Sequence, residues 1–223
     1  MYEKMKGKLT LAPEGGPFVV SSLVAAVICG FIGMAIHQTS FQIVALFFTL
    51  FAAFCLHFFR DPLRIPPIGN NIILSPADGK VVFVGEVEHD PDLKAPVQQI
   101  SIFLSLFNVH VNRIPVEGTV KSVNCRKGRF LAAFKEEASK VNEQTAVLIQ
   151  TKDHLVKVKQ IAGILARRIL CYLQNGDVVS LGDRFGFIRF GSRTDVVLPL
   201  EASISVSVGQ KVIGGETIIG ELK

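Results

Sequence analysis

Few residues in this chain combine a reactive side chain with a setting that could use it. Ser192, in the run Phe190-Gly191-Ser192-Arg193-Thr194-Asp195, carries a hydroxyl that becomes a nucleophile at neutral pH only beside a base. A Gly-Ser pair by itself marks a turn, and the run lacks the G-x-S-x-G elbow of an α/β-hydrolase, which argues against an ordinary serine esterase. His110 could exchange a proton near neutrality. It sits, however, in the alternating apolar run Val109-His110-Val111, where a structural histidine is the ordinary reading. Asp78, in Ala77-Asp78-Gly79, reads by itself as a turn former. Arg167 and Arg168 suit a bound phosphate or a structural ion pair equally well. His37 and His57 border apolar stretches, while His89 and His154 stand beside Asp90 and Asp153 in what read as solvated loops. Cys29, Cys55, Cys125 and Cys171 have no CxxC spacing, so neither a disulfide framework nor a metal site is expected.

The elements that must position these residues fall into two parts. The chain is 49% hydrophobic with a mean hydropathy of +0.41, and residues 15–59 contain no Asp, Glu, Lys or Arg. Two apolar runs, 17–36 and 41–59, flank the polar turn His37-Gln38-Thr39-Ser40. A spanning helix takes about 20 apolar residues, so residues 1–60 are expected to form a transmembrane helical hairpin. A hairpin buried in a soluble core would leave some polar face on each helix. A cleavable signal peptide would have one shorter apolar core. Lys4, Lys6 and Lys8 precede the first run, Arg60 and Arg64 follow the second, and the turn has no basic residue. The positive-inside rule then places both ends, and the rest of the chain, on the cytoplasmic face of the cell membrane.

After Pro62, Pro66 and Pro67 the pattern becomes strand-like. The runs 80–88, 98–106, 118–123, 145–151 and 155–161 are β-branched or aromatic and bounded by turn residues, so each is expected to be a strand. Residues 136–141 fit a short helix or an ordered loop, and 164–173 fit either a helix or a buried strand. Ser180-Leu181-Gly182-Asp183-Arg184-Phe185 is repeated as Ser207-Val208-Gly209-Gln210-Lys211-Val212, each copy running into an apolar strand. The fold expected for 61–223 is therefore mainly β, a small barrel or sandwich with a pseudo-twofold repeat. Biotinyl and lipoyl carrier domains have a repeat of this kind, but they need a lysine between its halves, and none occurs from Arg184 to Gln210. Three of the 24 basic and two of the 19 acidic residues precede Phe59, so the remainder stays mildly basic. That balance suits anionic lipid head groups. Without aromatic–basic interleaving, no nucleic-acid partner is expected.

Six ordered segments carry a resemblance that covers nearly the whole chain. They are Phe58-Phe59-Arg60-Asp61-Pro62; Ser75-Pro76-Ala77-Asp78-Gly79-Lys80-Val81; Asn108-Val109-His110-Val111-Asn112-Arg113-Ile114-Pro115; Asn142-Glu143; Gln160-Ile161-Ala162-Gly163 with Ala166-Arg167-Arg168-Ile169; and Arg189-Phe190-Gly191-Ser192-Arg193. In order and spacing they resemble the short, pyruvoyl-dependent form of phosphatidylserine decarboxylase, a self-cleaving proenzyme. The resemblance implies a carboxy-lyase that converts phosphatidylserine to phosphatidylethanolamine. Archaetidylserine presents the same reacting centre and is the alternative substrate; a non-catalytic membrane-anchored β-barrel adaptor is the alternative without chemistry.

The same resemblance implies the chemistry of the candidate residues. Ser192 would attack the carbonyl of Gly191, and elimination and hydrolysis would leave a pyruvoyl group on residue 192. The two products would stay associated as large and small chains, with a homodimer compatible with the family. The substrate amine would form a Schiff base with the pyruvoyl carbonyl, and the adjacent amide carbonyl would take up the electrons left by carbon dioxide. Asp78 and His110 match the family's activating residues, with Asp78 orienting the imidazole and His110 donating the later proton. Arg167 and Arg168 are candidates for the substrate phosphate. Longer relatives place a second histidine where this chain has Arg113, which leaves open whether His110 serves self-cleavage, decarboxylation or both.

A charged residue in place of Leu46 or Ala52 should hamper membrane insertion, because a charge at a helix centre costs about 2.5–3.5 kcal/mol. The expected outcome is loss of protein from carbonate-washed membranes; full retention would contradict the hairpin assignment.

Overall fold

The computed structural model describes residues 9–133, 138–163, 168–189 and 192–223; Lys4, Lys6, Lys8, Arg167 and Gly191 lie outside the described residues. The chain divides into two compact units, Met1–Leu63 and Arg64–Lys223.

In the first unit, helices α1 (Gly16–Ala35) and α2 (Thr39–Phe58) each have 20 residues. At 1.5 Å per residue that is about 30 Å, the thickness of the hydrocarbon core of a bilayer. Pro17 occupies the first turn of α1, where its missing N–H costs nothing. His37, at φ +53°, ends the helix in the left-handed conformation, and the Gln38 N–H reaches back to the Gly33 carbonyl at 3.1 Å. The helices then pack closely, since a Cβ at Gly33 would lie 3.0 Å from that of Phe41. Val27, Phe31 and Met34 of α1 and Ile43, Phe47 and Leu50 of α2 are left exposed, and both helices are long and apolar enough to cross a membrane. Strands Leu9–Leu11 and Arg60–Pro62 pair antiparallel at the base, so both ends of the hairpin emerge together.

The second unit is mainly β. Its eight-stranded sheet runs in the order Val178–Val179, Gly118–Arg126, Gln144–Gln150, Leu155–Ala162, Ser192–Pro199, Ala95–Leu104, Gly79–Asp90 and Lys211–Val212. Every neighbouring pair is antiparallel, and the sheet curls into a half-barrel. Two three-stranded sheets accompany it: Ile169–Cys171, Arg184–Ile188 and Val111–Arg113 form one, and Ser203–Ile204, Ile218–Glu221 and Ile72–Leu74 the other. Residues from all three sheets, among them Val81, Ile100, Ile114, Val158, Phe185, Val196 and Ile219, form a single apolar core.

The expected strands at 80–88, 98–106, 118–123, 145–151 and 155–161 all form, with ends shifted by a few residues. The second stops at Leu104 because the Asn108 side chain captures the Ser105 N–H (2.9 Å) and hydroxyl (2.7 Å), closing a turn. Ala138–Val141 is a short helix and Ile169–Cys171 a strand; residues 136–137 and 164–167 of those two expectations lie outside the described residues.

The sequence repeat is a repeat of structure. Gly182 and Gly209 both have positive φ, at +79° and +96°. In each copy the fourth residue's N–H bonds the first residue's carbonyl, and its side chain accepts from the first residue's N–H, all at 3.2 Å. Gly182 and Asp183 clasp Ile114 through two backbone bonds, as Gly209 and Gln210 clasp Val81. The strands led by Asp78 and by His110 are therefore held by two copies of one turn.

Lys157, on the strand beside the central one, is buried against Asp90, and Asp92 shares its ammonium at 2.8 Å. Burial pushes the Asp90 carboxyl up, but bonds from Lys157 and the N–H groups of Leu93 and Asp92 outweigh it and hold the pKa below the usual value. Asp90→Asn would leave the Lys157 charge buried beside the exposed end of Asp92 alone. We expect a loss of about 3–5 kcal/mol, measured by unfolding of the detergent-solubilised protein at pH 7. Because the folded pKa is depressed, the stabilisation is present above 3.8 and is lost as pH falls through the folded value. The gap between wild type and variant should close in that acid range; a gap independent of pH would refute the ion pair's role.

Candidate active site

Ser192 opens the central strand, Ser192–Pro199, with Leu104 opposite on one side and Ala162 on the other. Alternation places Ser192 and Thr194 on the face of Val196 and Leu198, toward the core. Ser192 is fully buried, and its hydroxyl has no hydrogen-bond partner among the described residues. Arg193 points to the other face, where its guanidinium donates to Asp195 at 2.6 Å and to the Ser101 hydroxyl at 2.6 Å. The Ser139 hydroxyl adds a bond of 2.5 Å to the same carboxylate. These side chains anchor the strand immediately after its reactive residue.

His110 ends the turn that follows Leu104 and is also fully buried. Its carbonyl accepts from the Ile188 N–H at 3.2 Å, and Ile188 packs on Ala162, the residue opposite Ser192. The topology thus brings His110 and Ser192 to one end of the half-barrel. The ring lies 6.3 Å from that of Phe187, and Nδ1 is 2.9 Å from the Asn108 carbonyl oxygen. A carbonyl can only accept, so Nδ1 carries a proton and, in the neutral ring, Nε2 holds the lone pair. Nε2 is then the ring nitrogen able to take up a proton.

Asp78 reaches the same end of the sheet from the other side. Lys80 pairs with Phe103 and Ser192 with Leu104, so the Asp78–Gly79 step lies two strands from Ser192, about 10 Å. Gly79 is required there, because a Cβ would meet the Phe103 carbonyl oxygen at 2.3 Å. The Asp78 carboxylate accepts from Arg64 at 2.8 Å and from the Gly214 N–H at 2.8 Å. The Asn108 carbonyl thus supplies one bond that orients the His110 ring, and Asp78 is bonded to Arg64 and Gly214. Arg113, at the position of the second histidine in longer relatives, donates to the Gly182 carbonyl at 3.3 Å and packs against Gly215. The Arg168 carbonyl accepts from the Arg189 N–H at 3.3 Å, with its own side chain exposed. Gly191 and Arg167 are not described.

Sequence reasoning missed Arg64, Asn112, Gln160, Thr194 and the Arg193–Asp195 pair as parts of the site. One signal was available for two of them: Gln160 and Thr194 interrupt the apolar parity of Val156 and Val158 and of Val196 and Leu198. No group of three or more metal-ligating side chains occurs among the described residues.

The family model for phosphatidylserine decarboxylase matches residues 51–220. The phosphatidylserine decarboxylase proenzyme of Ehrlichia canis is 47% identical over 212 residues, covering 94% of this chain and 90% of the relative. Those of Citrifermentans bemidjiense and Syntrophus aciditrophicus are 44% and 42% identical, over 95% and 97% of this chain and 96% and 99% of their own lengths. Such identity over nearly full length, on a chain whose buried serine opens its central strand, leaves one conclusion: the chain belongs to the phosphatidylserine decarboxylase family.

Proposed function

We propose that this chain is a proenzyme that cleaves itself between Gly191 and Ser192 and then decarboxylates phosphatidylserine to phosphatidylethanolamine, working on the cytoplasmic face of the membrane. The observation that carries the reading is Ser192 itself, a buried hydroxyl without a partner among the described residues, at the first position of a strand bonded on both sides. A structural serine in that place would be paired.

His110 is the base in maturation. Its Nε2 takes the Ser192 proton as Oγ attacks the Gly191 carbonyl carbon; the C–N bond then breaks, the nitrogen is protonated, and the amide has become an ester. Loss of the Ser192 α-proton expels the Gly191 carboxylate, and water releases ammonia to leave the pyruvoyl group. Once formed, that group supplies an electrophilic carbonyl for the substrate amine and an electron sink for decarboxylation, the work of a pyridoxal ring elsewhere. The site fits it, since residue 192 is buried, held from both sides and, among the described residues, its side chain makes no competing hydrogen bond. His110 then returns a proton to the substrate carbon that lost carbon dioxide. Asp78, fixed by Arg64 and Gly214 at the same end of the sheet, is a positioning residue. Exposed Arg168 and its neighbour Arg167 are candidates for the lipid phosphate.

Ser192→Ala should stay a single chain on a denaturing gel and show no decarboxylase activity. Cleavage or turnover by this variant would refute the reading. His110→Ala should also accumulate as the full-length chain, with any residual turnover down at least about 100-fold. Cleaved but inactive protein would move His110 out of maturation and into proton return alone, and an active variant would remove it from the site.

A further inference from the structure

Three more side chains near Ser192 are buried with unused hydrogen-bonding atoms among the described residues: Thr194 Oγ1, Gln160 Oε1 and Asn112 Nδ2. They come from three strands and form one group. Thr194 stands directly opposite Gln160 across the central pair of strands, two residues from Ser192 on the same face. Gln160 Nε2 donates to Asn112 Oδ1 at 2.7 Å, joining the large sheet to the small one above it. Gly186, paired with Asn112, leaves no room for a side chain; a Cβ there would lie 2.5 Å from Gln160 Nε2. One row further on, Val196 and Val158 belong to the apolar core. The polar group is thus confined to the end of the half-barrel that carries Ser192 and His110.

Buried polar atoms go unpaired rarely, because water is given up without return. Here the unused valences are complementary: an amide donor on Asn112, a hydroxyl on Thr194 and a carbonyl acceptor on Gln160. In the maturation proposed above the Ser192 hydroxyl is lost, and the other three remain on the face that residue 192 shares with Thr194 and Gln160. A serine head group presents matching chemistry, a carboxylate that only accepts and an amine that donates. We propose that Asn112, Thr194 and Gln160 form the subsite for the amino-acid end of the substrate, a reading that rests on the function proposed above. Asn112 Nδ2 and Thr194 Oγ1 donate to the carboxylate, and Gln160 Oε1 accepts from the amine. Neutral donors suit this reaction. A guanidinium would hold the carboxylate charge most tightly in the ground state, and that charge is lost on the way to carbon dioxide. The guanidinium next to Ser192 and Thr194 in sequence, Arg193, is turned to the opposite face against Asp195 and Ser101.

The test uses the full chain in detergent–lipid micelles with two variants, Asn112→Asp and Thr194→Val. Asn112→Asp keeps the acceptor for Gln160 and replaces the donor with an oxygen; Thr194→Val deletes one hydroxyl at constant shape. For each, the mass of the small chain reports pyruvoyl formation, KM is measured with phosphatidylserine, and competitive inhibition is measured with phosphatidylethanolamine, which lacks the carboxylate. The expected result is a normal pyruvoyl mass, a KM raised about 10–100-fold and product inhibition changed less than about twofold, with Thr194→Ser restoring KM. Unchanged KM, or equal weakening of substrate and product, would overturn the subsite. Failure of both variants to cleave would also overturn it, assigning these residues to folding or maturation. Absence of the pyruvoyl mass from the wild type would instead refute the parent reading.

Discussion

The pairing of the strand Ser192–Pro199 with Leu155–Ala162 on one side and Ala95–Leu104 on the other is the constraint on which the rest depends. A nucleophile at the first residue of an interior strand is held from both sides by backbone hydrogen bonds. Cutting the peptide bond before it would not release it. The segment 192–223 also supplies the edge strand Lys211–Val212 and most of the small sheet with Ile72–Leu74. Both sheets would therefore be shared between the proposed products, and each product alone would expose unpaired strand edges. Association of the two chains needs no further device.

Charge placement follows from the same strand. Its core face carries the neutral residues Ser192 and Thr194, and its other face the buried charges Arg193 and Asp195. Lys159 stands opposite Asp195; burial lowers its pKa, and the neighbouring Asp195 carboxylate offsets part of that. The formal charges of this strand are thus kept off the face on which chemistry is proposed. At the Ser192 end of the sheet the His110 ring bonds the Asn108 carbonyl, and Asp78 is fixed by Arg64 and Gly214.

Much of this was legible in the residues because it is local. The five main strands follow from β-branched runs between turn formers, and the hairpin from an uncharged stretch of two bilayer lengths. The turns at Gly182 and Gly209 follow from a six-residue repeat whose glycines take positive φ. Ser192 and His110 were singled out through ordered motifs. What stayed hidden were partnerships across the fold. Nothing near Asp78 in sequence announces Gly214, and Asn112 and Gln160 meet only because the small sheet lies over the large one. The orientation of His110 depends on a main-chain carbonyl, which carries no side-chain signature. Gln160 and Thr194 were visible as breaks in apolar parity, but only the register that sets them opposite each other gives the breaks a common meaning.

The central claim is that Ser192 becomes the cofactor, and intact-mass spectrometry of the purified wild-type protein tests it most directly. The account predicts two chains, the smaller beginning at position 192 and lighter than its serine-initiated form by one ammonia. Reduction in the presence of an amine substrate should add to the small chain alone the mass of the bound amine less one oxygen, since the Schiff base forms with loss of water and is then reduced. A small chain with an ordinary N-terminal serine would mean simple proteolysis, and a full-length chain that still decarboxylates would contradict the account outright.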